Sequence, residues 1–223
     1  MTVQHHPGDD LLISYAAGAI GESWSLAVAA HLAHCPQCRL NMGRAEEVGG
    51  VLLGEMDPVA MASDSLDYVL DAIHDTSGDQ EPGVLMDSTT KISDPISCLP
   101  LSVQEYVGAD LDSLSWQRLG NDGYQFLIAT GDKNAQVRLL RIKAGRPVPT
   151  HGHNGRELTL VLAGEFEDEI SRFGVGDLED VDQEIVHKPI AGASEDCICL
   201  AVTDAPLRFK EFLPRLLQPV FKI

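Results

Sequence analysis

From Gly145 to Gly164 the chain reads GRPVPTHGHNGRELTLVLAG, and this stretch decides the fold of its second half. Glu157-Leu-Thr-Leu-Val-Leu is a short run of strand-forming residues. His151, His153 and Glu157 lie at even separations, so on extended backbone their side chains project to one face of a sheet, toward an interior. Two imidazoles and a carboxylate converging there form a ligand set for Zn²⁺, Fe²⁺ or Mn²⁺. Downstream, Gly176 and His187 have the spacing expected of a fourth ligand arriving from another strand.

The same strand character extends in both directions. Tyr124 to Ile128, Val137 to Ile142, Phe166 to Ile170 and Cys197 to Val202 are short runs rich in β-formers, separated by Gly, Asp, Asn and Pro turns. That spacing over about 110 residues predicts a β-barrel or sandwich. Before it the period is helical. Leu11, Leu12 and Tyr15 share a face behind Asp9 and Asp10, ending at Gly18, and Ser23 is a plausible cap for a helix through Leu26, Ala27, Ala30 and His31. Pro36 opens a third helix through Met42, Ala45, Val48 and Leu52. Leu66, Val69, Leu70 and Ile73 mark a fourth, capped by Ser63 or Asp64. From Asp75 to Pro95 no period is sustained. The expected organisation is therefore a helical module over 1–75, a linker over 76–97 and a β-barrel over 98–223.

His31-x3-Cys35-x2-Cys38 spans the corner between the second and third helices, and spacings of four and three would put all three side chains on one face. Two thiolates and an imidazole suit Zn²⁺, and a structural site needs a fourth ligand. His6 is the favoured supplier from the N-terminal arm, with His5 and His34 as alternatives. A metal here would also explain how so small a helical module stays folded. The competing reading, a redox C-x-x-C, lacks the preceding strand a thioredoxin-type site requires.

The net charge is −18, and it is unevenly spread. Residues 1–97 hold 15 Asp/Glu against 3 Lys/Arg, and residues 98–223 hold 19 against 13. Such a surface repels phosphate backbones, which argues against direct nucleic-acid binding and favours a basic protein partner. No apolar run approaches the roughly 18 residues of a membrane span, and Met1 to Asp10 lacks the pattern of a secretory signal. A cytoplasmic protein is expected. Five cysteines in that compartment do not suggest a disulfide framework.

The Gly145–Gly164 motif matches, residue for residue, the first motif of the cupin superfamily, which the chain resembles here. The second cupin motif is half kept: Gly176 and His187 stand in place, whereas Asp182, Glu184 and Ala191 replace the usual proline, glycine and asparagine. An N-terminal histidine followed by H-x3-C-x2-C resembles the zinc-binding anti-sigma factors. Fused to a cupin, it looks like the ChrR family, a resemblance also carried by His5-His6, Tyr15-Ala-Ala-Gly, Val48-Gly-Gly, Asp196-Cys-Ile-Cys-Leu-Ala and Asp204-Ala-Pro-Leu-Arg-Phe. The resemblance implies a multidomain α and β fold: an all-α zinc-binding anti-sigma module and a C-terminal cupin β-barrel. It implies zinc on His6, His31, Cys35 and Cys38, and Zn²⁺ or another divalent metal on His151, His153, Glu157 and His187. It further implies one-to-one inhibition of an extracytoplasmic-function sigma factor, relieved by singlet oxygen or related oxidants, rather than enzymatic turnover.

Two other readings compete. The barrel could be a metal-dependent dioxygenase or isomerase with the helices as an oligomerisation piece. Cys197 and Cys199, sharing a strand face, could act as a redox trigger, although an in-strand C-x-C disulfide is strained. The acidic run Glu165 to Glu169 reads as a solvated turn and strand edge.

Overall fold

The computed structural model describes residues 2–76, 99–108 and 111–209. The expected linker, apart from Thr76, lies outside the described residues, as do Cys98 and the proline-bearing segment after Phe209. Five α-helices come first among the described residues: α1 Asp9–Ala16, α2 Glu22–His34, α3 Pro36–Gly54, α4 Ser65–Thr76 and α5 Leu101–Val107. Twelve strands follow among the described residues: β1 Gln117–Leu119, β2 Gly123–Ile128, β3 Gln136–Ile142, β4 His151–Gly152, β5 Glu157–Ala163, β6 Glu165–Glu167, β7 Arg172–Gly174, β8 Leu178–Val181, β9 Val186–His187, β10 Ile190–Ala191, β11 Cys197–Thr203 and β12 Arg208–Phe209. No helix among the described residues is long and apolar enough to cross a membrane.

The strands make a six-stranded antiparallel sheet in the order β1-β2-β3-β11-β5-β8 and two three-stranded sheets, β10-β6-β7 and β12-β4-β9. All three sheets line one cavity of about 340 Å³, so the architecture is that of a barrel. Alternation assigns the two faces of the large sheet. Arg138, Leu140, Glu157, Thr159, Cys197, Cys199 and Ala201 point into the cavity. Leu139, Leu158, Leu160, Leu200 and Val202 point the other way and are nevertheless buried.

What covers that outer face is α2 of the helical module together with α5. Leu26, Ala27, Val28 and Ala30 of α2 and Val103 of α5 join those leucines in one continuous apolar core. The alanines let the helix axis approach the sheet closely. A strand covered on both faces reads as a continuous apolar run rather than an alternation, which is why β5 is Glu-Leu-Thr-Leu-Val-Leu-Ala. Two ion pairs brace the same seam at its edge, Arg156 bridging Asp10 of the module (3.1 Å) and Asp180 of β8 (2.6 Å). The module and barrel thus share a core.

Local expectations differ in two places. Gly21, not Ser23, precedes α2 at the cap position, and no side chain caps it. Ser23 lies inside the helix with its hydroxyl 2.9 Å from Thr130 Oγ1, a tertiary bond that outweighs its capping tendency. The strand expected over Phe166–Ile170 stops at Glu167, because Asp168 Oδ1 accepts the amides of Ile170 (2.9 Å) and Ser171 (3.1 Å) and closes a turn there.

Leu200 is fully buried where β11 meets the helices. Leu200→Ala should cost about 2–5 kcal/mol, read as a lower urea midpoint. Because the core is shared, hydrogen exchange should lose protection in α2 and in the large sheet together. Separate loss would mean that the two parts unfold independently.

Candidate metal centres

The first centre forms where the N-terminal arm meets the α2–α3 corner. The ligand atoms of His6, His31, Cys35 and Cys38 all lie within 4.8 Å of one another. His6 Nδ1 is 3.3 Å from Cys35 Sγ and 3.4 Å from Cys38 Sγ. The edge of a tetrahedron with Zn–S near 2.3 Å and Zn–N near 2.0 Å is about 3.5 Å, so these separations suit zinc. His31 is completely buried, its Nδ1 lies 2.9 Å from the Gly176 carbonyl, and its Nε2 has no hydrogen-bond partner. An imidazole that donates from one nitrogen and turns a bare, buried nitrogen toward two thiols is arranged as a metal ligand.

The three spaced residues do not share one continuous helical face as expected. Cys35 is extended (φ −110°, ψ 101°) and ends α2, and Pro36 starts α3. The break turns Cys38 back over Cys35, whose sulfur accepts the Cys38 amide at 3.4 Å. Of the three candidate fourth residues, the arm brings in His6. His5 turns away to Ser171 Oγ (3.1 Å), and His34 lies outside the group of four.

Burial lowers the His31 pKa to about 4, and burial with the neighbouring Cys35 thiol raises Cys38 to about 12. The site therefore disfavours both a charged imidazolium and a bare thiolate. A divalent cation reverses the second preference and deprotonates the thiols it binds.

The second centre lies inside the barrel. His151 is on β4, His153 just beyond it and His187 on β9, directly opposite His151 in register. Nε2 of His187 is 3.1 Å from that of His151 and 3.2 Å from that of His153, and all three rings are buried. Glu157 is beside this triad rather than within it. Its Oε2 is 3.7 Å from His153 Nδ1, and its Oε1 accepts from Thr159 Oγ1 at 3.1 Å. His153 Nδ1 is buried without a hydrogen bond.

Two acids not singled out from the sequence complete the arrangement. Asp168 Oδ2 is 2.7 Å and Glu179 Oε1 3.3 Å from His187 Nδ1. The Asp168 side chain is entirely buried, which corrects the reading of Glu165–Glu169 as a solvated run. Only its flanks, Glu167 and Glu169, are exposed. Burial pushes His187 down, but Glu179 and Asp168 outweigh it and raise its pKa to about 9. Burial lowers His151, and it brings His153 to about 4. Burial raises Glu179 to about 7. Three imidazole nitrogens within 4.8 Å of one another, with His187 held by two carboxylates, are the donor set and outer support of a divalent metal site.

Above the triad the cavity is mostly apolar, walled by Leu140, Ile142, Phe166 and Phe209 among others. Cys197 and Cys199 line it with their sulfurs 3.5 Å apart, both free and buried. Their mutual hydrogen bond and burial raise the Cys199 pKa, keeping that sulfur a thiol.

Residues 104–206 match the family of ChrR cupin-like domains. The chain is 46 % identical, over 223 residues covering 100 % of both chains, to the anti-sigma-E factor ChrR of Cereibacter sphaeroides. In the crystal structure of Rhodobacter sphaeroides SigE in complex with the anti-sigma ChrR, one chain is 43 % identical over 91 % of this chain and 100 % of its own, with a TM-score of 0.76. With such identity across its whole length, this chain belongs to the ChrR family.

Proposed function

We propose that the chain is a cytoplasmic anti-sigma factor. Residues 1–75 hold an extracytoplasmic-function sigma factor inactive in a one-to-one complex, and residues 98–223, beyond the linker over 76–97, supply the signal that releases it. The observation that carries this reading is the end-to-end match to a relative named as an anti-sigma-E factor. That match does not favour a dioxygenase or isomerase as the main role.

The surface of the module supports the reading. The second half of α3 exposes Val48, Val51 and Leu52, and α4 exposes Leu66, Val69 and Ile73. Positions 66, 69, 70 and 73 form one amphipathic stripe, the pattern of a helix that lays its apolar face into a groove. Between residues 45 and 76 there are eight Asp/Glu and no Lys or Arg. An apolar stripe framed by negative charge fits a partner whose promoter-binding surfaces are basic.

Each centre has its own part. Zn²⁺ on His6, His31, Cys35 and Cys38 ties the arm to the α2–α3 corner and does no chemistry. A divalent ion, Zn²⁺ or Fe²⁺ or Mn²⁺, is held by His151, His153 and His187, with Glu157 as the acidic member of the set, and the barrel answers singlet oxygen or a related oxidant. Mixing the purified chain with its sigma factor should give one 1:1 species by size-exclusion chromatography with light scattering. Two separate peaks at micromolar concentrations would exclude the role.

His151→Ala separates capture from sensing. The variant should lose about one equivalent of metal and bind the sigma factor within about twofold of wild type. In cells it should keep target genes off after oxidant exposure. Normal induction by this variant would remove the barrel ion from the sensing pathway.

A further inference from the structure

The N-terminal centre is not built by the helical module alone. Cys35 and Cys38 come from the α2–α3 corner, but the two imidazoles are held from the barrel. The arm that carries His6 lies along β8 and the turn before it. Asp177 Oδ1 accepts the amides of Gln4 (2.6 Å) and His5 (2.9 Å), and the Leu178 amide donates to the His5 carbonyl at 3.1 Å. The His5 ring packs on Phe173, with centroids 4.4 Å apart. The neighbouring Gly176 carbonyl receives His31 Nδ1.

Gly176 is the glycine of the half-kept second cupin motif, and its place here has a second use. Its φ is +90°, and a Cβ would lie 2.8 Å from His34 Cβ and 2.8 Å from Val3 Cγ2. The module presses on this turn so closely that no side chain fits. Three residues further on, β8 carries Glu179 to His187 Nδ1. A second path runs from His187 through Asp168 and the Ser171 amide to Ser171 Oγ and His5 Nε2, one residue from His6.

Resting on the zinc reading of the first centre, we infer that Gly176 and Asp177 are positioning residues for that centre. The barrel segment 176–179 then forms the outer support of both metal sites, orienting His31 and His6 at one end and His187 at the other. Metal-bound imidazoles depend on the group that fixes their far nitrogen, and losing such support typically weakens a site 10- to 100-fold. Coupling is reciprocal in binding, so a rearrangement around His187 that moves β8 changes the hold on the N-terminal ion.

Asp177→Asn in the full chain tests this. Asp177 uses both oxygens as acceptors, Oδ1 for the arm and Oδ2 for the Gly174 amide at 2.8 Å. Asparagine offers one oxygen and would set its amide hydrogens against N–H donors at the other end. With cobalt loaded, the thiolate charge-transfer band reports the N-terminal centre alone. The variant should keep that band, show shifted d–d bands, and give up zinc from this site to a chelator about tenfold faster than wild type. A change confined to global stability would leave the d–d bands of the folded chain unmoved. Unaltered bands together with an unaltered release rate overturn the inference and leave the zinc reading intact. A wild-type chain with no thiolate band overturns both. Should the variant not accumulate as folded chain, the wild type decides. Stripping its thiolate-bound zinc should speed exchange of the Gln4, His5 and Leu178 amides at least tenfold, and unchanged exchange counts against the coupling.

Discussion

Replacing Cys38 with serine should remove the N-terminal zinc and, with it, capture of the sigma factor. A serine hydroxyl is a poor ligand at neutral pH, and only three donors remain. If a structural zinc contributes roughly 10–16 kcal/mol through four ligands, the loss of one removes about 3 kcal/mol, a hundredfold or more in metal affinity. Cys38 is buried against Cys35 and His6, so water cannot readily fill the missing position. Without the ion, the arm and the α2–α3 corner are no longer fixed to each other, and α3 loses the anchor that aims its exposed half. Elemental analysis should fall from two metals per chain to one, and sigma binding should weaken by at least a hundredfold in a titration. Wild-type sigma affinity in a chain shown to lack this zinc would mean that the ion has no part in capture.

Much of this arrangement can be read from the amino acids because it rests on short-range periods. His151, His153 and the strand beginning at Glu157 follow from alternation, and His31, Cys35 and Cys38 follow from ligand chemistry at close spacing. What periodicity cannot supply is which strand lies beside which. Asp168 and Glu179 carry no local signal for that reason. Glu179 faces the cavity because it pairs with Thr159 across β5 and β8, a register with no local signature. Asp168 looks like one more charge in an acidic turn until the hairpin folds it back onto His187. The same holds at the larger scale. Leu158, Leu160 and Leu162 announce a second buried face, but nothing nearby says that α2 covers it, and the helical and strand segments therefore look like separate units. The corner at Cys35 shows the opposite limit. Helical spacing brings His31, Cys35 and Cys38 to one face, whereas in the fold an extended residue before Pro36 does the turning.

Partner capture itself should be most sensitive along α4. Val69 and Ile73 are 51 % and 56 % exposed and lie one turn apart on the stripe. Changing both to aspartate should leave the fold almost untouched, because exposed substitutions away from caps and cores usually stay within about 0.5 kcal/mol. Zinc content should not change either. Binding is another matter. Each aliphatic side chain moved into an apolar groove contributes about 1.5–3 kcal/mol, and aspartate in its place adds the cost of desolvating a charge. The pair should therefore weaken sigma binding by about 3–6 kcal/mol, a hundredfold to more than ten-thousandfold, and free the sigma factor in cells without any oxidant. Added negative charge alone would strengthen attraction to a basic partner, so electrostatic steering and apolar docking predict opposite signs. A double variant that binds as well as or better than wild type, with unchanged thermal unfolding, would assign capture to charge and take the α4 stripe out of the interface.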